Sequence, residues 1–275
     1  MPTPSAPPTT TLFADEIAAI RATAAAMADA ARVETLRQFR SPALTPDNKA
    51  AQGFDPVTEA DRASERAMRA ILAERRPDDA ILGEEYGNQP GTSGLTWVLD
   101  PIDGTRAYMS GAPTWGVLIG LTDAAGRPIY GVIDQPWTGE RFEGGFGVAA
   151  MSGPHGNAPL ATRRGVGLDR ATLMTTFPEL PGEGEAAAFR RVAAQARLTR
   201  YGLDCYAYAL VALGQVDLVI EAGLQAYDIV GPIAVIEAAG GVVTNWQGGP
   251  AAQGGQVIAA ATAELHAAAL ALLNG

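Results

Sequence analysis

The sequence is poor in the residues that most often carry protein chemistry. It has one cysteine, Cys205, so no disulfide can close within the chain, and a reducing, cytoplasmic setting is expected. Its two histidines, His155 and His266, are too few for His-rich zinc sites or an H-E-x-x-H helix. They also leave little scope for a Ser-His-Asp triad. No stretch approaches the ~18 unbroken apolar residues of a membrane span. Residues 1–11, MPTPSAPPTTT, lack the basic and apolar regions of a secretory signal, and their Pro/Thr content predicts a disordered tail. Lys and Arg never run longer than two, and the formal charge is −10, so neither nucleic acid nor an anionic membrane is an expected partner. The groups left for chemistry are carboxylates and hydroxyls.

A length of 275 residues with 47% apolar and 18% charged composition suits one large domain or two packed halves with a sizeable core. Residues 12–39 are alanine-rich with helical spacing and predict a long helix. A second helix is expected in DPVTEADRASERAMRAIL (55–72), where Thr58 and Asp61 have the spacing of a capping box. AILGEE (80–85) and LTWVL (95–99) read as short strands, and a short helix is expected after Gly104. Residues 115–148 read as a β-meander. The Gly/Pro/Ser-rich stretch 149–165 reads as a loop and divides the chain into halves 12–150 and 151–275, which form one catalytic unit. Strands and helices alternate beyond it. The class is α/β (α+β), with layered sheets and helices.

Carboxylates stand at the ends of several elements: Asp61 in a helix first turn, Glu84 and Glu85 after a strand, Asp100 and Asp103 after another, Asp228 before a helix. Hard divalent cations take such oxygen ligands. In DPIDGT (100–105), Pro101 and Ile102 stiffen the link between two acids, and the carbonyl between them is a further ligand candidate. Gly104 permits a sharp turn, and the N–H groups of Gly104 and Thr105 are placed to face a phosphate. Two metals ~3.5–4 Å apart can activate water and stabilise a leaving oxygen. Taken singly, Asp61 is also a capping acid, Asp228 an N-cap and Glu84-Glu85 a solvated turn. The acids do not alternate as in an EF-hand. The D-x-x-D-x-T spacing is not the D-x-D-x-T of aspartyl-phosphate enzymes, and Cys205 reads as a packed helix residue.

The set DPVTEAD (55–61), GEE (83–85), DPIDGT (100–105) and YDIVGP (227–232) resembles the inositol monophosphatase superfamily of Mg²⁺-dependent, lithium-sensitive phosphatases, over most of the chain. The resemblance implies a layered αβαβα fold, commonly a homodimer, and a small phosphorylated metabolite as substrate. It implies two or three Mg²⁺ ions, with Mn²⁺ as a substitute. It makes Glu84, Asp100, the Ile102 carbonyl, Asp103 and Asp228 metal ligands. Asp61 and Thr105 match the pair that polarises the attacking water, with Glu84 also acting on it. Gly104 and Thr105 match the phosphate cradle, and Glu221 a substrate-binding carboxylate. Two stretches depart from the pattern: Arg106-Ala107-Tyr108 after DGT, and Gly231-Pro232 close behind Asp228. A proline four residues past an N-cap deletes the first helical hydrogen bond.

DGTRAY, IDQPWTGERFEGG (133–145) and GLDCYAYALVALGQVDLVIEAGLQAYDI (202–229) are similar to the histidinol-phosphate phosphatases of this superfamily. Histidinol carries an ammonium and an imidazole, which two carboxylates, Asp204 and Glu221, would suit. Asp204 reads equally well as an N-cap for the helix that follows. Arg106 reads either as a phosphate contact or as the partner of a surface acid. The reaction expected is hydrolysis of L-histidinol phosphate by direct water attack, in histidine biosynthesis. The alternative is an inositol-1-monophosphatase or a broad-specificity sugar phosphatase. A non-catalytic binding protein on the same scaffold would usually have lost a ligand, and every matched acid and Thr105 are present. A bisphosphate nucleotidase would call for more basic residues than this chain offers.

Overall fold

A computed structural model describes residues 12–42, 44, 47–48 and 56–275. The tail prediction for 1–11 and Asp55 of DPVTEAD lie outside the described residues. The alanine-rich segment forms α1 (Ala14–Gln38). After the short pairing of β1 (Asp47–Asn48) with β2 (Pro56–Val57) comes α2 (Glu59–Arg75). Its capping box is real: the Thr58 N–H donates to Asp61 Oδ2 at 2.8 Å, and the Ala60 N–H donates to the Thr58 hydroxyl at 3.1 Å.

The next elements are β3 (Ala80–Gly83), β4 (Gly87–Gln89), β5 (Thr96–Asp103), the short helix α3 (Thr105–Ser110), β6 (Gly116–Thr122), β7 (Pro128–Gln135), β8 (Glu140–Gly145), β9 (Val148–Gly153) and β10 (Gly156–Pro159). Eight of these strands make one sheet in the order β10-β9-β8-β7-β6-β5-β3-β4, antiparallel except between β3 and β5. Then come β11 (Thr172–Thr175), α4 (Glu183–Ala193), β12 (Leu198–Tyr201), α5 (Cys205–Ala212), β13 (Leu218–Leu224), α6 (Ala226–Ala238), β14 (Val242–Asn245), β15 (Gly255–Ala260) and α7 (Ala263–Leu273). Their strands form a second sheet in the order β12-β11-β13-β15-β14.

Burial sorts these elements into layers. Ile20 and Met27 of α1 and Met68 and Leu72 of α2 pack with Trp97 and Leu99 on one face of the first sheet. Val98, Leu118, Ile133 and Phe142 on its other face share a core with α5, α6 and the near face of the second sheet. Phe189 of α4 and Leu265 of α7 close over Leu218 and Ile258 on the far face. Helices, sheet, helices, sheet, helices is the resulting order, with both sheets covered on both faces.

Three departures from the sequence reading have physical causes. Strand β5 does not stop at Leu99 but runs on to Asp103, with a register shift against β6 between Asp100 and Asp103. Pro101 has no N–H to give the ladder, so the strand bulges where the acids sit. The 149–165 loop holds most of the β9–β10 hairpin, so the first sheet ends at Pro159. Strand β12, LTRY, is an edge strand with three exposed residues and shows no apolar alternation to read.

The middle layer owes its closeness to glycine. Gly120, Gly131 and Gly144 are cross-strand neighbours on β6, β7 and β8. A Cβ on Gly131 would come within 2.2 Å of the Gly231 carbonyl oxygen, and one on Gly144 within 2.4 Å of Val235 Cα. Helix α6 therefore lies backbone-to-backbone on the sheet. It starts at Ala226, so Asp228 is not its N-cap and Pro232 is interior; the helix continues through the proline to Ala238. Gly131→Ala is expected to cost about 1–3 kcal/mol as overpacking. The reading is a lower urea midpoint at unchanged slope; an unmoved midpoint would mean the helix can lift without cost. Among the described residues, no helix is long and apolar enough to cross a membrane.

Candidate active site

The acids flagged in the sequence converge where β5, α2, α3, α6 and the turn after β3 meet. Asp100, Asp103 and Asp228 bring carboxylate oxygens within 4.8 Å of one another. Asp100 is buried, and its Oδ1 accepts the Ile102 N–H at 3.0 Å, which fixes the bulge. Burial first, then the charges of Glu84, Asp103 and Asp228, push the Asp100 carboxyl well above the usual range. Asp103 is pushed up in the same way by burial and by Asp228, Asp204 and Glu221. Its Oδ2 accepts the Cys205 N–H at 2.5 Å and so caps the first turn of α5. Asp228 Oδ2 accepts the Gln225 N–H at 2.6 Å, as the third residue of α6 rather than as its cap. Like charges this close, one buried and two half-buried, are relieved by a proton or by a cation among them, and three carboxylate oxygens suit a hard divalent ion.

The Ile102 carbonyl lies in the same bulge. Thr105 Oγ1 sits 3.2 Å from that carbonyl and 3.5 Å from Asp61 Oδ1. Asp61 is buried, its other oxygen held by the Thr58 N–H and, at 2.5 Å, by the Thr58 hydroxyl. The capping reading of Asp61 is met by one oxygen, and the other lies near the Thr105 hydroxyl. Behind this corner Ile102, Tyr108, Trp115 and Phe39 form a small core, and the Tyr108 hydroxyl donates to the Thr35 carbonyl of α1 at 2.7 Å. Tyr108, the departure after DGT, is thus an anchor for α3.

Glu84, Asp103, Gly104, Thr105, Arg106, Asp204, Glu221 and Asp228 border a cavity of about 620 Å³. Asp204 occupies the N-cap position of α5, but its side chain makes no cap bond. Its backbone is strained, at φ +48° and ψ −142°, and its carboxylate accepts instead from the Thr114 hydroxyl at 3.3 Å. Burial and the charge of Glu221 push the Asp204 carboxyl up to about 6, against the pull of Thr114 and Arg106. Gly104, at φ +87°, turns the chain and also makes room: a Cβ there would come within 2.7 Å of Asp204 Cγ. Glu221 is raised by burial, opposed by the Thr176 N–H and hydroxyl and by the Tyr208 hydroxyl. Arg106 lays its guanidinium over the Phe177 ring, 5.0 Å from the centroid.

Several residues at the site left no trace in the sequence reading. Glu65 is wholly buried, is ion-paired with Arg69 at 2.7 Å, and accepts the Glu85 N–H (2.7 Å) and Tyr86 N–H (3.2 Å). It thereby pins the turn that carries Glu84. The face of α2 that buries Glu65 also carries Asp61 and Ser64, so no lone acid marks it in the sequence. Thr176, Tyr208 and Thr114 gave none, because each reaches its carboxylate only through the tertiary fold. Cys205 is buried, and its thiol is pushed up by burial, in keeping with a packed helix residue.

In its fold the chain matches the solved structure of an inositol monophosphatase from Zymomonas mobilis, with a TM-score of 0.83 and 39% identity over 96% of this chain and 100% of that one. The profile of the inositol monophosphatase family matches residues 16–274, and the chain belongs to that family of phosphatases. It is 40% identical over 79% of its length to the chloroplastic bifunctional phosphatase IMPL2 of Arabidopsis thaliana, and the match spans 65% of that protein. It is 32% identical over 90% of its length to a histidinol-phosphatase of Streptomyces coelicolor, covering 94% of that protein.

Proposed function

We propose that the protein is a Mg²⁺-dependent phosphatase that hydrolyses L-histidinol phosphate. The observation that carries this reading is the half-buried Asp204 carboxylate lining the cavity with Glu221, its charge disfavoured by burial and by Glu221 and only partly offset by Thr114 and Arg106. A cationic leaving group supplies the missing charge; a polyol does not. The likeness to the Streptomyces histidinol-phosphatase supports the same choice.

In this mechanism Glu84, Asp100, the Ile102 carbonyl, Asp103 and Asp228 would hold the cations. When bound, these supply Lewis-acid assistance to the phosphoryl oxygens and to the attacking water. The N–H groups of Gly104 and Thr105 donate to the phosphate. The Thr105 hydroxyl, between Ile102 O and Asp61 Oδ1, orients the water, and Asp61 receives its proton through that hydroxyl while Thr58 keeps Asp61 in place. Glu84 acts on the same water. Asp204 and Glu221 hold the ammonium and imidazole of the leaving alcohol.

A second reading, hydrolysis of inositol 1-phosphate, is favoured by the 39% identity to the Zymomonas inositol monophosphatase. The two esters compared side by side decide between them. A kcat/KM for L-histidinol phosphate about a hundredfold above that for inositol 1-phosphate is expected from one desolvated ion pair. A preference for the inositol ester would overturn the choice.

A further inference from the structure

We propose that Phe177 is a specificity-determining residue whose ring forms a stacking platform for a leaving group that carries a planar, positively charged ring. The inference rests on the phosphatase reading above and assigns the outer wall of the same cavity.

Phe177 lines the cavity and remains 45% exposed. A large aromatic face left open at the wall of an acidic cavity is area that a bound ligand can cover. Its place is fixed from two sides. The preceding residue, Thr176, donates its N–H at 2.9 Å and its hydroxyl at 2.6 Å to Glu221 Oε1. From the other side Arg106, next to Thr105, lies over the ring. The ring therefore lies on the cavity wall between Arg106 and the Thr176–Glu221 contact, in the same cavity that Gly104, Thr105 and Asp204 line. Leu180 and Pro181 extend the apolar wall. Pro181 rests on Gly223, where a Cβ would come within 2.8 Å of Pro181 Cγ.

The chemistry of this end is two carboxylates beside an aromatic face. Arg106 shows what the face accepts, since a guanidinium is itself a planar cation. A cationic heteroaromatic ring can stack on the remaining surface of Phe177 and direct its charge to the carboxylates. A saturated polyol would instead press hydroxyls against an apolar wall and lose their solvation. A cavity of about 620 Å³ has room for phosphate and such a ring together.

The test measures kcat/KM for L-histidinol phosphate, inositol 1-phosphate, phenyl phosphate and the ring-free glycerol 2-phosphate, in wild type, Phe177→Leu, Phe177→Ala and Phe177→Tyr. Leu and Ala are expected to lower the ratio of histidinol ester to glycerol ester by about five- to tenfold, mostly through KM, while Tyr keeps it within about twofold. An unchanged ratio, or a parallel fall on all four esters, overturns the proposal. If wild type prefers the inositol ester yet the phenyl-to-glycerol ratio still falls in Phe177→Leu, stacking stands and the histidinol reading fails. If wild type prefers the histidinol ester and neither ratio moves, the histidinol reading stands and the stacking inference fails.

Discussion

Asp100→Asn is expected to lower kcat/KM about a thousandfold, ~4 kcal/mol of transition-state stabilisation, without loss of the fold. Asparagine has the size of aspartate and keeps an oxygen for the Ile102 N–H, so the bulge that shapes the site survives. What disappears is one of the converging charges, and with it a proposed ligand. The stability effect runs the other way. In the metal-free protein the Asp100 carboxylate is buried and faces Glu84, Asp103 and Asp228, so its charge costs the fold rather than supports it. The variant without metal should therefore melt no lower than wild type. Turnover near the wild-type value would refute the ligand assignment. A collapse of the circular dichroism signal would show that Asp100 is structural first.

Mg²⁺ is expected to raise the melting temperature of the wild type by roughly 5–10 °C at a hundredfold excess over its dissociation constant. That corresponds to about 2.7 kcal/mol by mass action. The cause is the same crowding of charge. Asp100, Asp103 and Asp228 present oxygens within 4.8 Å of one another, and a divalent ion turns their repulsion into attraction. Scanning fluorimetry in chelator, in MgCl₂ and in NaCl of matched ionic strength reads this directly. The shift should shrink by most of its size in Asp100→Asn and in Asp103→Asn. Equal melting points in MgCl₂ and NaCl would show that the cluster is not a divalent-ion site.

The sequence was legible where local chemistry decides the structure. Thr58 and Asp61 announce the start of α2 by spacing alone, and Thr58 does cap it. DPIDGT announces a turn that carries clustered acids. It could not announce that β5 continues through it, because a bulge is defined by the partner strand and not by the bulged one. Asp228 looked like an N-cap because Asp favours that position; in fact Gln225 starts the helix one turn earlier. Asp204 was the reverse case, standing at the cap position without capping. The hairpin over 148–159 was hidden by its glycines and proline, which are read as punctuation until a neighbouring strand supplies the ladder. Glu65 was invisible because its partners, Glu85 and Tyr86, come from another element. The Asp100–Thr105 side of the cavity is thus built from a local motif, and the Asp204–Glu221 side from residues that meet only through tertiary contact.

The glycine seam under α6 has a kinetic side. Asp228 belongs by sequence to the strands of the second sheet, yet its helix is seated on the first, against Gly120, Gly131 and Gly144. The contacts that complete the carboxylate cluster therefore span a long stretch of chain, and their loop-closure entropy must be met before they give any return. Such contacts are expected to form late, after the transition state. A cation that joins β5 to α6 should accordingly leave the folding rate almost untouched and slow unfolding instead. The same MgCl₂ titration, followed as the unfolding limb of a chevron, reads that difference.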